Sequence, residues 1–482
     1  METQHHNVPE LPREVSTWEK ISNSIVVKLL IILVLLLFLL IPLSWVQDLI
    51  GERMVRDENV KAEISGKWGG QQVVSGPVIG IPYEYQYTSN ISDDKGKVTK
   101  ETVTEEDYIF IVPKSMKVYA KVEPEYLKRG IYQSVVYNST LHLTGEFDEL
   151  DLKKLGTAPE KLKWSEAKVF IGMSDTKGLK ANPVIQIGAE KAAFETNTTN
   201  MVMFERTMSA PLDLSTSQST VNKFDIHYDL RGSKSLNVFP LADQNQIVVE
   251  GKWANPSFNG SYLPENREVG PDEFKAEWNI PSFDRKFPHQ WANHKGALYQ
   301  ITNNYQVEET LLPAMKNGQA IASESDMVQV NFLEAVNNYQ KTTRVAKYGL
   351  LVILLTFSSL LFTEIIKKQR IHIIQYVLIG CAMVLFYSLL LAFGEHVIFN
   401  ISYLISFVAT TVLIAAFIYW ITKDRKICLL FSGILSLFYG FIFVLMQLQD
   451  FSLLVGTIGI FVILAVMMRL STKVNWSQLD RR

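Results

Sequence analysis

Few residues of this chain have the types and spacing to do chemistry. Three of them, Glu395, His396 and Asp450, fall in two very short polar breaks between long apolar runs. Runs joined so closely pack as antiparallel helical hairpins. Both breaks then lie at one end of the bundle and form a candidate functional cluster. A carboxylate beside an imidazole would make a proton-sensitive switch of His396. The competing reading is a pair of polar hairpin tips, with Asp450 as N-cap of the run that follows. Within the apolar runs, ionisable groups are costly and default to functional hypotheses. Glu364 sits one turn from the end of its run, near Lys367 and Lys368, where an interfacial ion pair is the favoured reading. His372 stands at the same edge, and Gln375, Tyr376 and Tyr387 are placed to hydrogen-bond between helices.

No G-x-S-x-G, H-E-x-x-H, C-x-x-C or Walker loop occurs. His142, His227, His289 and His294 are scattered, and the spacing of His289 and His294 is too thin a basis for a metal site. No catalytic, cofactor-binding or metal-ligating residue follows from the sequence, and the balance favours a protein that is not an enzyme. A formal net charge of -2 gives no reason to expect nucleic-acid binding.

The elements that must position the candidate residues are apolar. A hydrocarbon core about 30 Å thick needs roughly 20 helical residues to cross it, and the backbone there must be satisfied internally. Six runs qualify: Ile25–Val46, Tyr348–Ile366, Ile371–Phe393, Val397–Thr422, Ile427–Leu448 and Phe451–Met468. The first is too long for a signal-peptide core and lacks a small-x-small cleavage site, so an uncleaved signal anchor is expected. The expected fold is therefore an α-helical integral membrane protein with six spans, one plus five. A large, mainly-β extracytoplasmic domain is inserted between the first and second.

Lys367, Lys368 and Arg370 fill one short loop, Lys423, Arg425 and Lys426 another, and Arg469, Lys473, Arg481 and Arg482 the tail. The alternate loops hold no Lys or Arg. The positive-inside rule then puts both termini in the cytoplasm. The expected order is a cytoplasmic tail (1–24), an anchor (25–46), an outer domain (47–347), a five-helix bundle (348–468) and a cytoplasmic tail (469–482). Both cysteines, Cys381 and Cys428, fall in spans, so no disulfide frames the outer domain.

From Val46 to Ile64 apolar residues recur at roughly helical spacing, predicting a helix that continues past the span until Trp68-Gly69-Gly70 breaks it. Beyond lie short β-branched and aromatic runs separated by Gly, Pro, Asn and Asp: Val78–Tyr87, Thr102–Val112, Met116–Val122, Ile131–Phe147, Lys168–Met173, Phe224–Leu230 and Ile247–Gly251. They predict an antiparallel sandwich or layered sheet, in one module or in two divided near 209–219. Helical patches are expected at Asp148–Leu155 and from Phe332 directly into the second span. The segment Lys252–Phe283 concentrates Trp253 and Trp278 with four prolines. Exposed Trp faces stack on sugars. The favoured reading is core aromatics with turns, because Trp and Phe bury large areas.

Several of these residues also form motifs. Ser65-x-x-Trp68-Gly69-Gly70-Gln71, Ser75-Gly76-Pro77-Val78, Trp253-x-x-Pro256-Ser257-Phe258, Tyr339-Gln340-x-x-x-Arg344-x-x-Lys347-Tyr348, Ile371-His372-x-x-Gln375-Tyr376 and Glu395-His396 resemble the CreD family of bacterial inner-membrane proteins. The resemblance implies a cell-envelope integrity protein of the Gram-negative inner membrane, with no established catalytic residue, ligand or cofactor. The expectation is a non-enzymatic protein of the lipid bilayer whose periplasmic domain binds an envelope protein or cell-wall component. The alternative is a membrane enzyme or carrier for a lipid-linked component, working beside Glu395, His396 and Asp450.

Overall fold

The computed structural model describes residues 25–92, 98–151, 161–188, 190–196, 204, 206–215, 222–284, 288–292, 300–301, 321–322, 326–332, 338–367, 371–448 and 451–472. The chain divides into two compact units, one of 1–57 with 336–482 and one of 58–335.

The first unit is helical. Helix α1 (Ile25–Trp68) is followed, after the β unit, by α2 (Asn338–Lys347), α3 (Gly349–Lys367), α4 (Ile373–Gly394), α5 (Phe399–Thr422), α6 (Arg425–Gln447) and α7 (Ser452–Ser471). Four of these, α1, α4, α5 and α6, are long and apolar enough to cross a membrane. A fifth span results if α2 and α3, bent by 42° at their junction, count as one, and a shorter apolar helix covers Leu454–Arg469. Helix α1 shows why these helices belong in lipid. Leu35, Leu36, Leu39, Leu43, Val46 and Ile50 are buried, a stripe at three- and four-residue spacing, while Leu30, Leu33, Leu37, Phe38 and Trp45 on the other faces are exposed. A helix apolar all round with one packed stripe needs an apolar medium on its remaining surface.

Two glycines make the packing of α1 possible. A Cβ on Gly380 would lie 2.2 Å from Leu39 Cδ1 and 3.0 Å from Phe357 Cζ. One on Gly349 would lie 3.1 Å from Leu43 Cδ1. Within α4, α5 and α6, Phe386 meets Tyr439 at 4.5 Å and Tyr403 at 5.5 Å between ring centroids, and the Tyr403 hydroxyl donates to Tyr439 O at 2.7 Å.

The second unit is a two-layer β structure. One ten-stranded sheet runs, in spatial order, through Pro256–Gly260, Val328–Phe332, Ser235–Val238, Gln72–Ser92, Ala167–Met173, Arg206–Leu212 and Glu195–Thr196. Val98–Ile111 pairs with the distal part of Gln72–Ser92. The eight-stranded sheet runs through Asn266–Val269, Phe274–Pro281, Gln244–Gly251, Ser115–Arg129, Tyr132–Phe147, Asn222–Ser233, Val184–Ile187 and Glu190–Ala193. Within these two sheets pairing is mostly antiparallel, with two parallel pairs, Gln72–Ser92 with Ser235–Val238 and Ser115–Arg129 with Gln244–Gly251. Alternate residues such as Val118, Ala120 and Val122 face one core shared with Val169, Ile171, Val328 and Val330 of the other sheet.

Strands from both sides of 209–219 interleave in both sheets, so the described residues build a single layered module. Two local expectations fail. Phe332 closes a strand, and the helix begins at Asn338: Val328, Val330 and Phe332 alternate inward, so the period there is two. Asp148–Asp151 is not helical, and the rest of that predicted helix lies outside the described residues.

Candidate functional site

The charged side chains of the helical unit gather at its two ends. At one end, Lys28 in the first turn of α1 donates to Glu364 Oε1 near the end of α3. Tyr376, in the first turn of α4, donates its hydroxyl to Glu364 Oε2 at 3.2 Å. Glu364 is 7% exposed. Glu364 thus pairs with a lysine 336 positions away in sequence, while the side chains of the expected partners Lys367 and Lys368 lie outside the described residues. The reason is depth: Lys28 and Glu364 occupy the same level in neighbouring helices, and a buried carboxylate demands a cation at its own level. Nearby, His372 is the N-cap of α4 in a capping box with Gln375. A crevice of about 10 Å³, room for one water, is lined there by Thr363, Glu364 and Thr422 among isoleucines.

At the other end, Glu395 is the C-cap of α4. Its Oε1 lies 3.6 Å from Arg53 Nε of α1, and Tyr339 of α2 donates its hydroxyl to the same oxygen at 3.4 Å. Asn338 Nδ2 donates to Gly394 O at 2.8 Å, and Lys341 stands 5.4 Å from the Phe399 ring centroid. The α4–α5 tip is thereby tied to α1 and α2. His396 is exposed, and among the described residues it makes no hydrogen bond to Glu395. Consecutive residues at a helix end point about 100° apart, so the carboxylate turns inward to Arg53 and the imidazole outward. Asp450 lies outside the described residues. The site therefore contains Arg53, Tyr339 and Asn338, which the sequence reading did not include. The usable signal was depth counting: a cation just past the first apolar run sits level with the first polar loop after α4.

The separation of the two clusters matches the thickness of a hydrocarbon core. Lys28 and Arg53 are 25 positions apart in one helix, about 37 Å of rise, and Tyr376 and Glu395 are separated by about 29 Å along α4. A hydrocarbon core is about 30 Å thick.

His142 Nε2 lies 3.0 Å from Asp225 Oδ2 on the β surface. Among the described residues no three of His, Cys, Asp and Glu converge on a possible metal position, and His294 lies outside them. Both cysteines are free. Trp278 is a core residue that donates to Tyr262 O at 3.0 Å, as the packing argument requires, whereas Trp253 is only half-buried.

These features define an integral membrane protein with four to five candidate apolar helices and a large, mainly-β domain. The profile of the family described as "Inner membrane protein CreD" matches residues 24–477. The chain belongs to the CreD family of inner membrane proteins. It is 28% identical over 440 residues to "Inner membrane protein CreD" of Escherichia coli (strain K12), covering 91% of each chain. Among solved structures, the M1 zinc metallopeptidase of Deinococcus radiodurans and a mutant of the same enzyme align with TM-scores of 0.19 and 0.20 at 7% and 8% identity. Each alignment covers 36% of this chain and 40% of the peptidase. Scores that low do not establish a shared fold.

Proposed function

We propose that this protein is a non-enzymatic inner-membrane protein supporting cell-envelope integrity. Its β unit stands in the periplasm and binds an envelope partner, and its helices anchor that unit. In this reading α2 and α3 form one span, α7 completes a set of six, and both termini are cytoplasmic. The observation that carries it is the state of the helical unit. Its described centre is filled by interlocked rings of Phe386, Tyr403 and Tyr439, and its candidate carboxylate Glu395 is held by Arg53 and Tyr339. Such an interior fits an anchor better than a passage for substrate.

A second reading, an enzyme or carrier for a lipid-linked component beside Glu395, His396 and Asp450, draws on a different observation. Among the described residues the hydroxyls of Thr356, Tyr387, Ser406, Thr410 and Tyr439 are buried without a hydrogen-bond partner, and a polar ligand would satisfy them.

Complementation of a deletion strain separates the two. Under the anchoring reading Glu395→Gln and His396→Ala retain the envelope phenotype at normal abundance, and loss of complementation by both would overturn it. Periplasmic thiol labelling in a cysteine-free background tests the topology. Leu263→Cys, at a site 75% exposed on the β unit, should label and Gln369→Cys should not; the reverse pattern refutes the orientation.

A further inference from the structure

One open groove of about 740 Å³ lies on the β unit where Tyr126, the Lys252–Asn255 turn and the Pro271–Glu273 turn come together. Its volume falls in the range of small-molecule sites, about 300–1,000 Å³. Two aromatic rings form its apolar surface: Tyr126 and Trp253 meet at 5.3 Å between centroids with planes inclined by 45°. Tyr126 is 41% exposed. Around the rings stand Lys252, Asn255, Asp272 and Glu273, all exposed.

Trp253 carries a further peculiarity. Trp68 and Trp278 each donate the indole N–H to a carbonyl, of Tyr137 and Tyr262 respectively. The Trp253 Nε1–H is buried and has no acceptor among the described residues. A buried donor without a partner calls for an explanation such as a bound group or water.

We propose that this groove binds an oligosaccharide chain, with the C–H face of a sugar ring on the Tyr126–Trp253 corner and its hydroxyls bonded by Asn255, Asp272, Glu273 and Lys252. The match is chemical. A pyranose offers one apolar face and a belt of hydroxyls that both donate and accept. The groove offers an aromatic wall edged by an amide, two carboxylates and an ammonium, which together donate and accept. A lipid tail would require an enclosed apolar channel, and this groove is open with a charged rim. A small turn of the Trp253 ring toward the groove would bring its N–H to a sugar hydroxyl or a bridging water as the missing acceptor. The assignment gives a ligand class to the partner-binding role proposed above, and it rests on that reading for the compartment alone.

The test uses the purified full chain in a detergent without a sugar headgroup, titrated with chitotetraose and with cellotetraose and followed by tryptophan fluorescence and calorimetry. Saturable binding of at least one probe is expected. Tyr126→Ala and Asn255→Ala should each weaken it by about tenfold or more, with circular dichroism unchanged because both side chains are exposed. Trp253→Ala also removes packing, so the two exposed variants decide. Failure of both probes to bind at millimolar concentration, or binding that neither exposed variant alters, would overturn the proposal. The labelling and complementation tests use other positions and would stand whatever this titration shows.

Discussion

Removing Lys28 should damage the helical unit more than neutralising Glu364, and the structure gives the size of the difference. Lys28→Met leaves Glu364 nearly buried, with the Tyr376 hydroxyl as its remaining hydrogen-bond partner among the described residues. Breaking a buried pair from one side costs about 3–5 kcal/mol. The Lys28 side chain is 29% exposed, so part of the field is already screened, and about 2–3 kcal/mol is the expected loss. Glu364→Gln keeps an acceptor for Tyr376 and leaves a lysine that can reach the interface. Its expected cost is about 1 kcal/mol. The double variant should be better than the sum of the two by about 1–2 kcal/mol, because the second change removes the charge stranded by the first. Reversible unfolding by SDS in mixed micelles, read by tryptophan fluorescence, measures all three. Equal single effects, or strict additivity, would refute the claim that the pair is coupled across α1 and α3.

Two other outcomes follow from particular contacts. Gly380→Val places carbon against Leu39 and Phe357, so α1 should loosen by about 1–3 kcal/mol in the same assay, and Leu39→Ala should relieve part of the loss. On the β unit, hydrogen bonds first from Arg129 and then from Lys67 hold the Glu63 carboxyl down at about 2, below its ordinary 4.5. A depressed carboxylate stabilises above its ordinary pKa, and that contribution is lost as pH falls from about 4.5 to about 2. Urea unfolding of the parent chain and of Glu63→Gln should therefore differ most near neutrality and converge toward pH 2; a constant gap would show that the side chain acts through packing alone.

Legibility in the sequence followed the range of the interactions. The long exit of α1 and its end at Gly69-Gly70 were readable because amphipathic spacing and paired glycines are local signals. The β character of the second unit was readable for the same reason. The Lys28 partner of Glu364 could not be read, because that pair depends on the depth of a helix from the other end of the chain. Phe332 misled because a strand of five residues looked like the approach to a span. The turn of Glu395 toward Arg53 could not be read, since side-chain direction at a helix end depends on what packs beneath it. Trp253 and Trp278 share one segment and composition, yet Trp278 points inward from a strand and fills the core while Trp253 sits in the turn after Gly251 and walls a groove, a distinction set by where the strands end.

The position of Val328–Phe332 bears on the order of assembly. It lies inside its sheet, between Pro256–Gly260 and Ser235–Val238, and Val328 and Val330 are wholly buried in the shared core. The neighbouring pairings join strands made far apart in time: Ser235–Val238 also pairs with the first strand, Gln72–Ser92. The sheet therefore cannot close until the ribosome has passed Phe332, and the next helix starts at Asn338. For most of its synthesis the β unit is an open sheet with exposed apolar edges, the state most prone to aggregate. Its final strand and the return to helix then arrive almost together. A chain truncated shortly before Val328 should be a substrate for chaperones and proteases, and one extended just beyond Phe332 should escape them.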